Sequence, residues 1–154
     1  MLVVGIDVGL TGAVAILGDP PVSHEMPTVA LSKTGFVKNT VDTYGLARCL
    51  HDYGVLGAPV FIERVNAFPG QGVSSMFSLG MSFGAVLGVC AALGLEVHLV
   101  EPRAWKKHFR LGPDKEQARG LASRLFPKVD LSRKKDHGRA EALLIARYGQ
   151  EMMR

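Results

Sequence analysis

The apolar positions fall into short runs in the first half of the chain and into helical spacings in the second. Leu2 to Ile6 is an apolar run that ends on a carboxylate, Asp7. Small residues follow (Gly9, Thr11, Gly12), then a second apolar run, Ala13 to Leu17, so this stretch predicts a two-stranded hairpin. Pro20 and Pro21 break the pattern ahead of a third strand over Val22 to Met26. Residues 27 to 40 read as a loop. Thr40 predicts the cap of a helix from Val41 to Tyr53, closed by Gly54. Pro59 opens another apolar run, Val60 to Ile62, and this one also ends on a carboxylate, Glu63.

Residues 64 to 73 are rich in Gly and Pro and read as a loop. Val73 to Leu95 contains no charged residue, which is long enough for a membrane span. Ser74, Ser75, Ser78 and Ser82 and the soluble pattern around the segment predict a buried helix instead. Gly80, Gly84 and Gly88 recur every four residues, so they share one helix face on which another backbone can come close. That face is the candidate subunit contact. Gly94 ends the helix, and Glu96 to Val100 alternates as a strand. Pro102 opens a short helix, RAWKKHF; Asp114 caps the next one, to Leu125; Pro127 breaks it. The last helix is predicted from Gly138 to Tyr148. Nothing in the pattern divides the chain, so residues 1 to 154 read as one domain.

Composition adds two constraints. Hydrophobic residues make up 47% of the chain, enough for a real core. The formal net charge is +4, but it is unevenly placed: after residue 100 there are fourteen Lys and Arg against seven Asp and Glu, and before it four against seven. A basic C-terminal third points to a polyanionic partner, nucleic acid before a membrane surface. Cys49 and Cys90 are widely spaced with no CxxC, which fits core thiols in a reducing compartment; with no signal-peptide pattern, the expectation is a cytoplasmic protein.

The candidate chemistry starts from Asp7 and Glu63. Adjacent strands would bring these two carboxylates together, and two unpaired anions in one site raise each other's pKa unless a cation intervenes. Mg²⁺ or Mn²⁺, hard ions with oxygen ligands, resolves this. Glu141 lies among Ala140, Leu143, Leu144 and Ala146, an awkward place for an acid that does not face a site. His137 is one helical turn earlier and can face the same way; Asp136 is the alternative, reaching in from just before the helix.

Read in order, GIDVGLTGAVAI, FIERV, the Gly-spaced helix, PRAWKKHF, DKEQAR and KKDHGRAEALLIARYG resemble the RuvC-like Holliday junction resolvases, particularly the short phage-type members. The resemblance covers nearly the whole chain. It implies an α/β RNase H-like fold, a mixed sheet flanked by helices, and a homodimer that makes paired nicks in four-way DNA junctions and other branched DNA. It also implies two divalent ions per site, held by Asp7, Glu63, Glu141 and a third ligand. In the family that third ligand usually stands three residues before the last one. Here that slot is Gly138, so His137 or Asp136 must serve, with His137 preferred. Lys106 or Lys107, together with Lys115, match the family's lysines near the scissile phosphate; Lys107 and Lys115 are taken as catalytic. Lys134 and Lys135 add DNA-binding charge, and Phe68 matches an aromatic that enters the junction. Trp105 is expected to be buried against the sheet. A related RNase H-like nuclease acting on flaps or hybrids is the alternative. An actin-like ATP-binding domain shares the first hairpin pattern, but needs a second domain and phosphate loop that 154 residues do not accommodate.

Overall fold

The computed structural model describes residues 1–31 and 33–154. In chain order the elements are β1 (Val3–Asp7), β2 (Ala13–Leu17), β3 (Val22–Glu25), β4 (Thr28–Ala30), β5 (Asn39–Val41), α1 (Thr43–Asp52), β6 (Val60–Glu63), α2 (Val73–Ala92), β7 (Val97–Val100), α3 (Pro102–His108), α4 (Lys115–Leu125), a 3-10 turn (Lys134–Asp136) and α5 (His137–Met152). Five strands form one mixed sheet in the order β3-β2-β1-β6-β7. β1, β2 and β3 are antiparallel neighbours, whereas β6 runs parallel to β1 and β7 parallel to β6.

Strand alternation assigns the two faces of the sheet. Val3, Ala13, Ala15, Leu17 and Phe61 point to one side and pack against Trp105 of α3, Ala118 and Ala122 of α4, and Ala142, Leu143 and Ala146 of α5. Val4, Ile6, Val14, Ile16, Val60 and Ile62 point to the other and pack against Leu46 and Leu50 of α1 and Val86, Val89 and Cys90 of α2. By the same alternation Asp7 shares the α5 side with Val3 and Gly5. α5 lies very close to β1: a Cβ on Gly5 would run into the backbone of Ala142 and Ala146. That close approach brings the acid of α5 down to the strand ends.

Three predicted boundaries are corrected. Residues 27 to 40 are not all loop, because β4 and β5 form a separate two-stranded antiparallel sheet. Thr40 and Val41 belong to β5, so the cap of α1 is Asp42, whose Oδ1 accepts from the Gly45 amide at 3.0 Å. α5 begins at His137 and runs to Met152, one turn beyond Tyr148. Asp114 caps α4 as expected, accepting from the Glu116 amide at 2.9 Å, and Gly94 takes a positive φ of 65° at the end of α2.

α2 is long and apolar enough to cross a membrane by length and composition alone. Here it packs on the sheet and on α1, but it is not the buried helix predicted: only Ser82, Val86, Val89 and Cys90 are buried among its residues. Its outer face stays open. No described residue lies within 4 Å of the place a Cβ would take on Gly80, Gly84 or Gly88, and Val73 and Phe77 are exposed nearby.

Candidate active site

Asp7 and Glu63 are the last residues of β1 and β6, two parallel neighbours. Ile6 is paired with Ile62, so the next step along both strands sets Asp7 beside Glu63. Neighbouring strands stand about 4.8 Å apart. Both side chains emerge on the α5 side, where Glu141 comes over them from the first turns of α5. These three acids, from three separate elements, act on one another electrostatically. Burial is the largest cause raising the Asp7 carboxyl well above the usual carboxylate range, and the charges of Glu141 and Glu63 raise it further. Glu63 is raised too, first by burial and then by Glu141, against a hydrogen bond from Trp105 that lowers it.

Two lysines answer this negative charge. Lys115 and Lys106 both lower the Asp7 carboxyl, and Lys106 also lowers Glu63. Lys107, expected as the catalytic lysine of α3, is exposed and lines an open recess with Arg103, Lys106 and Arg110; Lys106 takes the place beside the acids. The reason is helical geometry. Trp105 points into the core, its neighbour Lys106 stays on the flank above the acids, and Lys107 turns outward.

The two candidates for the third ligand part company. Asp136 is almost fully buried but committed elsewhere. Its oxygens accept from Arg133 Nη2 at 2.6 Å, Arg139 Nη1 at 3.1 Å and the Arg133 amide at 3.0 Å. Burial pushes its carboxyl up, but the Arg133 and Arg139 hydrogen bonds outweigh that and hold it at about 2. The structure therefore does not bring Asp136 into the acidic group; it is the hub of an ion-pair network beside β3. His137, at the start of α5, sets Nε2 at 3.3 Å from Glu116 Oε1. Its Nδ1 is buried and has no hydrogen-bond partner among the described residues.

Gly138 occupies the remaining slot because nothing larger fits. A Cβ there would collide with the Thr11 carbonyl oxygen and sit 3.1 Å from Gly12. The turn between β1 and β2 thus excludes a side chain three residues before Glu141.

The other predicted contacts lie around this centre. Phe68 is 61% exposed in the loop that leaves β6 directly after Glu63, and Arg64 pairs with Glu101 at 2.9 Å at the foot of that loop. Lys134 acts on Glu116, the acid paired with His137, and Lys135 lies 3.4 Å from Glu25 on β3, in the network around Asp136. Sequence reasoning missed Arg103 and Arg110 in the basic recess, as well as Phe36, 92% exposed between β4 and β5. Arg103 and Arg110 did carry a signal, since with Lys106 and Lys107 they fall at the i, i+3, i+4, i+7 spacing of one helical stretch; Phe36, one aromatic in a presumed loop, carried none.

Three carboxylates within electrostatic reach of one another are the donor type that suits a hard divalent ion, and His137 Nδ1, buried without a partner among the described residues on the same helix as Glu141, is a further donor of suitable chemistry. Among the described residues, no three His, Cys, Asp or Glu side chains already stand close enough together to hold one ion.

Solved structures share this architecture along the whole chain. RuvC of Thermus thermophilus in complex with a Holliday junction substrate matches with a TM-score of 0.63 and 16% identity, over 99% of this chain and 96% of that one. The chain has the RuvC fold. A second Thermus thermophilus RuvC structure gives a TM-score of 0.62 and 18% identity, over 99% and 97% of the two chains. No protein-family model matches. The chloroplastic Holliday junction resolvase MOC1 of Chlamydomonas reinhardtii is 35% identical over 92 residues, covering 57% of this chain. The chain spans only 10% of that protein's length. The RuvC-like resemblance read from the ordered motifs agrees with these likenesses in fold and in sequence.

Proposed function

We propose that this chain is a structure-selective endodeoxyribonuclease that resolves four-way DNA junctions by divalent-metal-dependent phosphodiester hydrolysis, working as a homodimer. The observation that carries the reading is the convergence of Asp7, Glu63 and Glu141, partly buried, mutually repelling and flanked by Lys106 and Lys115. Such a group is costly for a fold to keep unless a cation joins it. The likeness to RuvC and to a stretch of MOC1 supports four-way DNA junctions as the substrate class.

Asp7, Glu63, Glu141 and His137 would hold two Mg²⁺ or Mn²⁺ ions, which supply an activated water and charge neutralisation at the leaving oxygen. The chain's own residues do the rest. Lys106 and Lys115 set positive charge beside the phosphate as charge develops on it. Arg103, Lys107 and Arg110 follow the backbone away from the site, and Lys134 and Lys135 do so on the other flank, giving salt-dependent affinity without base reading. Phe68 is the aromatic next to the cleavage point. The open face of α2, with Gly80, Gly84 and Gly88, is the proposed dimer contact, and a two-fold axis there gives two sites for paired nicks. Cys49 and Cys90 are both free thiols.

The test is nicking of a synthetic four-way junction beside flap, RNA–DNA hybrid and linear duplex substrates, with Mg²⁺ or Mn²⁺ and with chelator. Preferential, paired cutting of the junction supports the reading. Equal cutting of hybrids or flaps moves it to a related RNase H-like nuclease, and metal-independent cutting rejects the metal site.

A further inference from the structure

Trp105 is the chain's single tryptophan and is completely buried. A buried indole needs an acceptor for its N–H, and a backbone carbonyl in the core would satisfy it. Here the acceptor is a side chain of the acidic group: Trp105 Nε1 donates to Glu63 Oε1 at 2.9 Å. That is the only side-chain hydrogen bond that any of Asp7, Glu63 and Glu141 makes among the described residues. The same ring has a second neighbour, since Lys106 Nζ lies 5.2 Å from its centroid. The indole thus touches both an acid of the site and the lysine beside it.

The physical consequence follows from chain flexibility. A glutamate has three rotatable bonds, and freezing them at the moment of cation binding costs entropy. An indole locked in the core can take that cost in advance. It occupies Oε1 and leaves Oε2 without a hydrogen bond among the described residues.

We propose that Trp105 is a positioning residue: its indole N–H fixes the Glu63 carboxylate for divalent-cation binding, and its ring face aligns Lys106 above the same site. This inference rests on the nuclease reading for its purpose but not for its measurement. Residues that orient a metal ligand in this way change metal affinity by about 10- to 100-fold when removed.

The test uses the full chain. One tryptophan gives one indole N–H resonance in a ¹H–¹⁵N spectrum. In the wild-type protein that resonance is expected to shift on titration with Mg²⁺, and to move to a new position without a Mg²⁺ response in Glu63→Gln. A packing role alone leaves it unmoved by Mg²⁺, and that result overturns the proposal without any variant having to fold. Trp105→Phe keeps a ring in the core and removes the donor. With its melting transition checked, it is expected to need about 10- to 100-fold more Mg²⁺ or Mn²⁺ for half-maximal binding by calorimetry, and for half-maximal nicking, with junction affinity in chelator unchanged. An unaltered metal requirement overturns the proposal while leaving the nuclease reading intact. If the wild type nicks no branched DNA but Trp105→Phe still weakens Mg²⁺ binding, the nuclease reading fails and the positioning role stands.

Discussion

Gly138→Ala sets two general rules against each other. Inside a helix, replacing Gly by Ala gains about 1 kcal/mol, since Gly has the larger backbone freedom to lose. At Gly138 the added methyl has no room. It meets the Thr11 carbonyl oxygen and stands 3.1 Å from both C and Cα of Gly12, all of them backbone atoms that cannot rotate away. Overfilling a packed site costs about 1–3 kcal/mol, and a clash with backbone belongs at the upper end. Gly138 sits in the first turn of α5, where the propensity gain is smaller than in mid-helix, so the net effect is a loss of about 1–3 kcal/mol. For a domain of this size that is roughly 2–4 °C of melting temperature per kcal/mol. The control is Gly120→Ala in the middle of α4, where no described residue lies within 4 Å of the new methyl. There the propensity term acts alone and stability should rise by up to about 1 kcal/mol. Urea unfolding of both variants reads the two signs directly. The collision also lifts the start of α5, which carries His137 and Glu141, and a displacement of about 1 Å at a reacting centre can cost about 100-fold in rate. If Gly138→Ala is as stable and as active as wild type, the close packing of α5 on the β1–β2 turn is refuted.

Asp7→Asn should keep junction binding, abolish cutting and stabilise the metal-free protein near neutral pH. Burial and the two neighbouring acids raise the Asp7 carboxyl above its unfolded value, so the folded state holds its proton more tightly. Stability therefore falls as pH rises from the unfolded carboxylate value towards the folded one, and the advantage of Asn in chelator should shrink on acidification. Asp136 has the opposite sign. Held at about 2, it contributes stability above an unfolded value of about 3.9, and loses that contribution as pH falls towards 2. Asp136→Ala should destabilise the protein by about 1–3 kcal/mol, because it removes hydrogen bonds from Arg133 and Arg139 while Glu25 still pairs with Arg133 and Ser23 and Asp130 still accept from Arg139, and no residual cutting defect should remain once the protein is folded. Lys106→Ala should lower the cutting rate at saturating DNA by about 100-fold, whereas Lys107→Ala should weaken binding evenly across sequences and reduce the salt slope by about one. A rate defect in Lys107→Ala with none in Lys106→Ala reverses that assignment.

The amino-acid order was enough to find β1, β2, β6, α2, α3 and α4, since each carries an apolar period with a Gly, Pro or Asp at its ends. It was enough, too, to single out Asp7, Glu63 and Glu141, because a carboxylate inside an apolar run is legible wherever the run folds. It could not show β4 and β5, three residues each, whose exposed faces leave no alternation to read. Apolar composition is non-directional, so α2 read as a buried helix with its Gly80, Gly84 and Gly88 face set aside for a subunit contact, whereas within the chain most of the helix stays uncovered. The remaining decisions were made by contact across the fold. Asp136 and His137 are neighbours with the same claim in the sequence, and only the position of Arg133 and Arg139 ties Asp136 into a separate network. Lys106 and Lys107 are equally basic, and only the direction in which Trp105 is buried sets one beside the acids. Local sequence determines which groups are costly to bury; which of them meet depends on distances between elements far apart along the chain, and those exist only once the sheet and α5 have closed on each other.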